Sequence, residues 1–244
     1  MLLIKSAFFI NKKGKNSINE DSIISIPDKL YLVCDGVGGN GNGLLASQLL
    51  CNSISSSIQN ESMFNLSNIL QKAEKELSNY KKKNPATKSM ASTIAFTKIH
   101  ESFITIAWIG DSSVYHIRNG KIIYKTINHS WVAEAIVRGE LTELESYFHQ
   151  NRNQLTRSVK GVEEPSEFDY LVCDAIQEDD IFLLCTDGIQ ESWIDTDLEA
   201  LFSTQNTTEE IINQIDKQCE KFSDDNYSAI LFQIGVVNTV NDEN

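Results

Sequence analysis

Five acidic groups are spread along almost the whole of this 244-residue chain. They are Asn19-Glu20-Asp21, Asp35-Gly36, Gly110-Asp111-Ser112, Thr186-Asp187-Gly188 and Asp225-Asn226. Four of the five directly follow or precede a strand-like apolar stretch. Carboxylates fixed at the ends of buried strands supply an oxygen-only ligand set. Such a set suits Mg²⁺ or Mn²⁺ and favours phosphate chemistry. Taken singly, each group also reads as a plain turn, because Asp-Gly and Asp-Asn pairs are ordinary turn chemistry. The densest is the glycine-rich run from Asp35 through Gly38, Gly39, Asn40 and Gly41 to Gly43, which follows the apolar stretch Leu30-Tyr31-Leu32-Val33-Cys34. Glycines there let the backbone approach a ligand closely. The lysine of a nucleotide-binding P-loop is absent from that run.

The elements that must position these groups follow from hydrophobic periodicity. Strands are predicted at 6–10, 22–26, 31–34, 93–99, 103–109, 114–118, 121–126, 181–185 and 228–234. Asn119-Gly120 marks a hairpin between two of them. Helical spacing predicts long helices over 43–58 and 66–83, and another over 208–221 with Thr207 or Thr208 as its cap. Shorter helical pieces are predicted at 131–138 and 143–148, inside a stretch 128–165 that reads as an excursion from the sheets. Strands joined by hairpins, then paired helices, imply antiparallel sheets with helices outside. No linker divides the chain, so a single domain over 1–240 is expected.

Composition narrows the function classes. The chain is 41% hydrophobic and 23% charged, which suffices for a proper core. The net charge of −13 disfavours nucleic acid and other polyanions as partners. Cysteines stand at 34, 51, 173, 185 and 219, odd in number and without a C-x-x-C pair. That argues against a disulfide framework or a zinc cluster and points to a reducing cytoplasm. Cys34 and Cys185, inside apolar runs, are expected to be inert core thiols. The N-terminal apolar stretch is broken by Lys5 and reads as a first strand, not a signal peptide. No stretch approaches the ~20 apolar residues of a membrane span.

The order and framing of these motifs resemble a known family. Gly14-Lys15-Asn16-Ser17-Ile18-Asn19-Glu20-Asp21, Met90-Ala91-Ser92-Thr93, Asn128-His129-Ser130, His149-Gln150-Asn151-Arg152-Asn153 and Leu155-Thr156-Arg157-Ser158 join the acidic groups in the same order. Together they resemble the bacterial PPM-type, or type 2C, metal-dependent serine/threonine protein phosphatases, from about Ser6 to Ile234. The resemblance implies an α+β fold, a four-layer αββα sandwich with two central antiparallel β-sheets flanked by helices. It makes 128–165 a flap-like segment.

The resemblance also implies a metal centre of two Mn²⁺ or Mg²⁺ ions, with a third possible. Asp35 is expected to bridge two ions, with the Gly36 carbonyl on one and Asp187 and Asp225 on the other. Glu20 and Asp21 are expected to act mostly through metal-bound waters, and Asp111 to serve the third ion. The implied reaction is direct attack of metal-activated water on a phosphate monoester. The family's phosphate-gripping arginine is replaced here by Asn16, with Lys15 beside it; these two are the candidate phosphate contacts. Val37 stands where some members carry a histidine acid. His100 and His116 read as strand or surface residues, and His129 and His149 as residues that shape the flap. The expected partners are Ser/Thr-phosphorylated proteins, a kinase among them, and the expected state is a monomer. Two other readings remain at this stage: a phosphatase of an anti-sigma-factor antagonist, and a pseudophosphatase acting as a binding module.

Overall fold

The computed structural model describes residues 2–38, 41–60, 64–146, 148–162 and 167–235. Gly39 and Asn40 of the glycine-rich run therefore lie outside the described residues. So do Tyr147 and residues 163–165 of the flap-like stretch, and 236–240 of the expected domain.

Two antiparallel sheets of five strands each form the centre. One contains β1 (Ile4–Lys12), β8 (Ser113–Arg118), β9 (Lys121–Lys125), β11 (Ile181–Cys185) and β12 (Tyr227–Ile234), in the order β1-β12-β11-β8-β9. The other contains β2 (Ser22–Ile26), β3 (Leu30–Cys34), β6 (Ile94–Ile99), β7 (Ile104–Ile109) and β10 (Asp169–Cys173), in the order β10-β7-β6-β3-β2. A short ladder joins β4 (Gly36–Val37) to β5 (Ala91–Ser92).

The period-two alternation of each strand decides what packs where. In β3, Tyr31 and Val33 point between the sheets, while Leu30, Leu32 and Cys34 point to the helices. In β12, Ile230, Phe232 and Ile234 point between the sheets, while Tyr227, Ala229 and Leu231 point away. Both faces are therefore apolar, and both are covered. The inter-sheet core stacks Tyr31 on Phe232, with ring centroids 4.4 Å apart, and Phe182 on Phe232 at 5.1 Å.

Helices α1 (Asn42–Asn60) and α2 (Leu66–Lys83) cover the β3 sheet through Leu50, Ile54, Ile69 and Leu77. Helices α6 (Asp195–Phe202) and α7 (Thr208–Phe222) cover the β12 sheet through Leu198, Ile211, Ile212 and Ile215. Each such side chain, fully buried, contributes roughly 1.5–3 kcal/mol. The result is the four-layer sandwich that the resemblance implies. Thr207 caps α7 in a capping box with Glu210. The β8–β9 hairpin turns at Asn119 and Gly120, with φ of +50° and +75°, as the Asn-Gly signal requires.

The structure also adds to the sequence reading. The expected turn at Asp187-Gly188 instead opens a short helix, α5 (Asp187–Gln190). Strand β10 and helix α6 were not anticipated. The piece expected at 143–148 is the shorter α4 (Glu143–Ser146), after α3 (Trp131–Val137). Ser130 caps α3 with its side chain. Among the described residues, no helix is long and apolar enough to cross a membrane.

Candidate metal centre

The acidic groups converge at one end of the sandwich. Asp35 follows β3, Asp111 precedes β8, Asp187 follows β11, and Asp225 precedes β12. Because β3 belongs to one sheet and the others to the second, the four carboxylates face each other across the inter-sheet gap. Asp21, just before β2, and Glu20 approach from the opening loop. A cavity of about 630 Å³ is lined by Asn16, Glu20, Asp35, Gly36, Asp111, Asp187 and Asp225, together with Asn153 and Leu155 of the flap-like segment. Seven of the nine residues singled out in the sequence thus line one cavity. Asp21 instead lines a neighbouring groove beside Asn19 and Gln48. Lys15 is exposed and pairs with Asp224 at 2.6 Å.

Close packing sets the backbone here. A Cβ on Gly36 would stand 2.0 Å from the Gly43 carbonyl oxygen and 2.6 Å from that of Glu20. The turn after β3, the start of α1 and the opening loop therefore meet where no side chain fits. Gly188 has the same role at α5, where a Cβ would stand 2.0 Å from the Asn226 carbonyl oxygen. Gly110 adopts φ of +108° and lies against Thr93, which only glycine does without strain.

Neutral polar groups from neighbouring segments, some donating and some accepting, hold the acids. The Asp35 amide donates to Thr93 Oγ1 at 2.9 Å, and Ser92 Oγ donates to the Asp35 carbonyl at 2.7 Å. Thr186 Oγ1 donates to Asp21 Oδ2 at 2.8 Å. Asn226 Oδ1 accepts the Glu20 amide at 2.8 Å, while its Nδ2 donates to the carbonyls of Lys13 and Ile18. Gln190 Nε2 donates to the Asp111 carbonyl at 2.9 Å. Asn16 Nδ2 donates to Asp225 Oδ1 at 2.8 Å. Thr93, Thr186, Gln190 and Asn226 were not assigned roles from the sequence. Thr186 and Asn226 adjoin acidic positions, a signal that could have flagged them. Gln190 carries no such signal.

The electrostatics are those of an anionic cluster. Burial, then repulsion from Asp187, Asp21, Asp111 and Asp225, pushes the Asp35 carboxyl well above its usual range. Burial, then Asp111 and Asp225, does the same to Asp187. Burial raises Asp21 to about 7 and Asp111 to about 6. Asp21 Oδ1 is buried without a hydrogen-bond partner. Among the described residues, no three His, Cys, Asp or Glu side chains gather tightly enough to form a closed cage. Like charges with no cation between them stand apart. A hard ion such as Mg²⁺ keeps several waters and needs only one or two carboxylates. An open, all-oxygen set of carboxylates, raised by burial and by one another, is therefore a donor set that divalent cations fit.

The sequence matches the protein phosphatase 2C family over residues 12–221. The chain belongs to that family. It is similar to the serine/threonine phosphatase stp of Listeria monocytogenes, with 26% identity over 213 residues covering 84% of each chain. The fold matches the Mycobacterium tuberculosis serine/threonine phosphatase PstP/Ppp, with TM-score 0.86 and 22% identity over 97% of this chain and 100% of that one. It also matches the PstP catalytic domain in complex with two manganese ions, with TM-score 0.82 and 23% identity over 97% and 100% of the two chains. The enzyme class expected from the sequence, a protein serine/threonine phosphatase, agrees with these names. The expected cofactor agrees with the two manganese ions of that PstP catalytic domain.

Of the histidines, His116 is a buried core residue, stacked on Phe182 and 2.9 Å from Asp180. His149 stacks on Trp131 at the base of the flap-like segment, with centroids 4.5 Å apart. His129 is buried beside the Asp111 turn. Cys34 and Cys185 are buried, as expected of core thiols.

Proposed function

We propose that the chain is a metal-dependent serine/threonine phosphoprotein phosphatase that hydrolyses phosphate monoesters with two Mn²⁺ or Mg²⁺ ions at this cavity. One observation carries the reading. Carboxylates from five separate segments line or flank one cavity, where burial and mutual repulsion raise four of them. Such a cluster either takes up protons or gathers positive charge, and a bound cation lets the carboxylates stay ionised at neutral pH. The names of the relatives and the two manganese ions of the related PstP catalytic domain support it.

In this reading, Asp35, Asp187, Asp225 and the Gly36 carbonyl would hold two ions, Glu20 and Asp21 would act through water, and Asp111 would serve a third. Divalent ions at such a site lower the pKa of a water nucleophile and neutralise phosphoryl oxygens. Attack on phosphorus forms one P–O bond and breaks the ester P–O bond. The water's proton then balances the serine or threonine alkoxide that leaves. The chain's own residues fix the geometry. The glycine contacts hold the three crossing segments, and Thr93, Thr186 and Asn226 fix the acids that face the cavity.

Asn16 lines the cavity, so its amide supplies a neutral donor to a phosphate oxygen where an arginine would supply charge. Lys15 stands at the rim and adds long-range attraction only. Reversal of a Ser/Thr kinase in the cytoplasm, by a monomer, is the setting we propose. The substitution at Asn16 is also the observation that favours the second reading, a catalytically weak binding module.

The test is hydrolysis of a phosphothreonine peptide with Mn²⁺, with Mg²⁺ and with EDTA, beside Asp187→Asn. Activity that requires metal and falls at least 100-fold in the variant supports the phosphatase. Folded protein without turnover in either metal, unrescued by Asn16→Arg, selects the binding module.

A further inference from the structure

We infer that His129 is the positioning residue that sets the Gly110–Asp111 turn and ties it to the flap-like segment. The inference rests on the reading of Asp111 as a cation ligand. Four contacts converge on this one residue. The Gly110 amide donates to His129 Nδ1 at 3.0 Å. The His129 amide donates to the Gly110 carbonyl at 2.8 Å. The Thr156 amide, from the far end of the segment, donates to the His129 carbonyl at 2.9 Å. His129 Nε2 lies 3.2 Å from Asp169 Oδ2.

The tautomer follows from these partners. A backbone N–H can only donate, so Nδ1 accepts and carries no proton. The proton of the neutral ring is then on Nε2 and points to Asp169. Arg157 Nη1, 3.0 Å from Nε2, also donates to Asp169 Oδ1 at 2.7 Å, so the carboxylate gathers both donors. Trp108 stacks parallel to the ring, at 18° and 6.1 Å between centroids. Carboxylate, imidazole and target form the same relay that orients histidine ligands around metals. Here the last member is a backbone amide one residue before Asp111.

Gly110 lies just past the end of β7 (Ile104–Ile109), and the side-chain acceptor its amide meets there is the His129 ring. Gln190 grips the other side of the turn through the Asp111 carbonyl. The turn that carries the carboxylate is therefore held from two sides, by α5 and by His129 near the start of the segment 128–165. Leu155, bridged to Ser130, lines the cavity at the other end of that segment. Displacement of the segment must move His129, and with it Asp111.

Two variants separate the two ring nitrogens. His129→Asn keeps an acceptor near Nδ1 and loses the Nε2 donor. His129→Gln keeps a donor near Nε2 and loses the acceptor. Mn²⁺ binding is followed by the loss of the free Mn²⁺ electron paramagnetic resonance signal, which reads occupancy without turnover. Thermal melts with EDTA establish folding. The weakest binding phase is assigned by its loss in Asp111→Asn. His129→Gln is expected to weaken that phase about tenfold, the scale of lost outer-shell support. His129→Asn should stay within about threefold of the parent, and the tighter phases should not move in either.

Equal effects of the two variants, or none in folded protein, would overturn the inference while leaving Asp111 as a ligand. An unchanged weak phase in Asp111→Asn would remove the underlying reading and the inference with it. If His129→Gln does not fold, His129→Leu replaces it. That variant also removes the Nδ1 acceptor from the Gly110 amide, and an unchanged weak phase there also overturns the inference.

Discussion

Asn226 offers the sharpest test of how the site is assembled. Its side chain is 6% exposed and makes three hydrogen bonds to backbone groups of the opening loop. It accepts the Glu20 amide and donates to the carbonyls of Lys13 and Ile18, at 2.8, 2.8 and 2.9 Å. At a net 0.5–1.5 kcal/mol each, the set contributes roughly 1.5–4.5 kcal/mol. Residues 15–18 are exposed, so the freed carbonyls can find water, and the lower half of that range applies to Asn226→Ala. We expect a loss of about 2 kcal/mol, or about 4–8 °C in melting temperature for a chain of this size.

Asn226→Asp should cost more, about 3 kcal/mol, although it is isosteric. It keeps the acceptor for the Glu20 amide but turns a carboxylate against two carbonyls, beside Asp225. The assay is urea unfolding with EDTA, which removes metal linkage, followed by a Mn²⁺ titration of phosphopeptide hydrolysis. Both variants should need about tenfold more Mn²⁺, because the loop they release carries Glu20 and Asp21. Asn226→Ala within 0.5 kcal/mol of the parent, or Asn226→Asp milder than Asn226→Ala, would refute the stapling argument.

Other expectations are shorter. Gly36→Ala forces a Cβ to 2.0 Å from the Gly43 carbonyl, and overpacking of this kind should cost about 1–3 kcal/mol, measured by denaturant unfolding. Burial pushes the Asp180 carboxyl up, but hydrogen bonds from Arg118, His116 and the Gln177 amide outweigh it and hold it at about 2. Its folded pKa is thus depressed, so its contribution, roughly 2 kcal/mol, is present above about pH 4 and lost as pH falls towards 2. Asp180→Asn should flatten the acid limb of a stability–pH profile there. Asp21 and Asp111 shift the other way, to about 7 and about 6, so metal-free protein should lose stability as pH rises from about 4 to 7. Saturating Mn²⁺ should abolish that slope and, at about 100-fold over two dissociation constants, add about 5 kcal/mol, read as a rise in melting temperature.

The strands were legible because both faces of each sheet are covered, which makes runs such as Leu30–Cys34 and Ile181–Cys185 apolar throughout. The carboxylates were legible because they sit one or two residues beyond those runs. Strand β10 was not, because it is an edge strand whose Tyr170 and Val172 are 62% and 47% exposed, and half its side chains carry no burial signal. Helix α6 opens with Asp195-Thr196-Asp197, residues that also favour turns, and follows α5 closely, so its start was not separable from a loop. The four-layer stacking came from the resemblance, since alternation alone does not say which layer covers which face. Asn226, Gln190 and His129 act on backbone atoms of distant segments, and nothing in their neighbours names those targets.

The kind of group that holds each acid carries a further physical meaning. Thr93, Thr186, Asn226 and Gln190 are all neutral, and three of the four grip backbone atoms. The carboxylates thus keep their oxygens for the cavity and their charge uncompensated. A lysine or arginine in any of these places would stabilise the protein alone and compete with a cation for the same oxygens. The cations near the site are instead set one step outward. Lys15 pairs with Asp224, not Asp225, and Arg152 reaches Glu191 at 3.9 Å, just past the helix that Asp187 opens. The hydrophobic core behind the four raised carboxyls is covered on both faces of each sheet. The stability those acids cost without metal is the same free energy that metal binding returns, and it sets the pH slope expected above. A cluster arranged this way selects for divalent charge by what surrounds it as much as by what it contains.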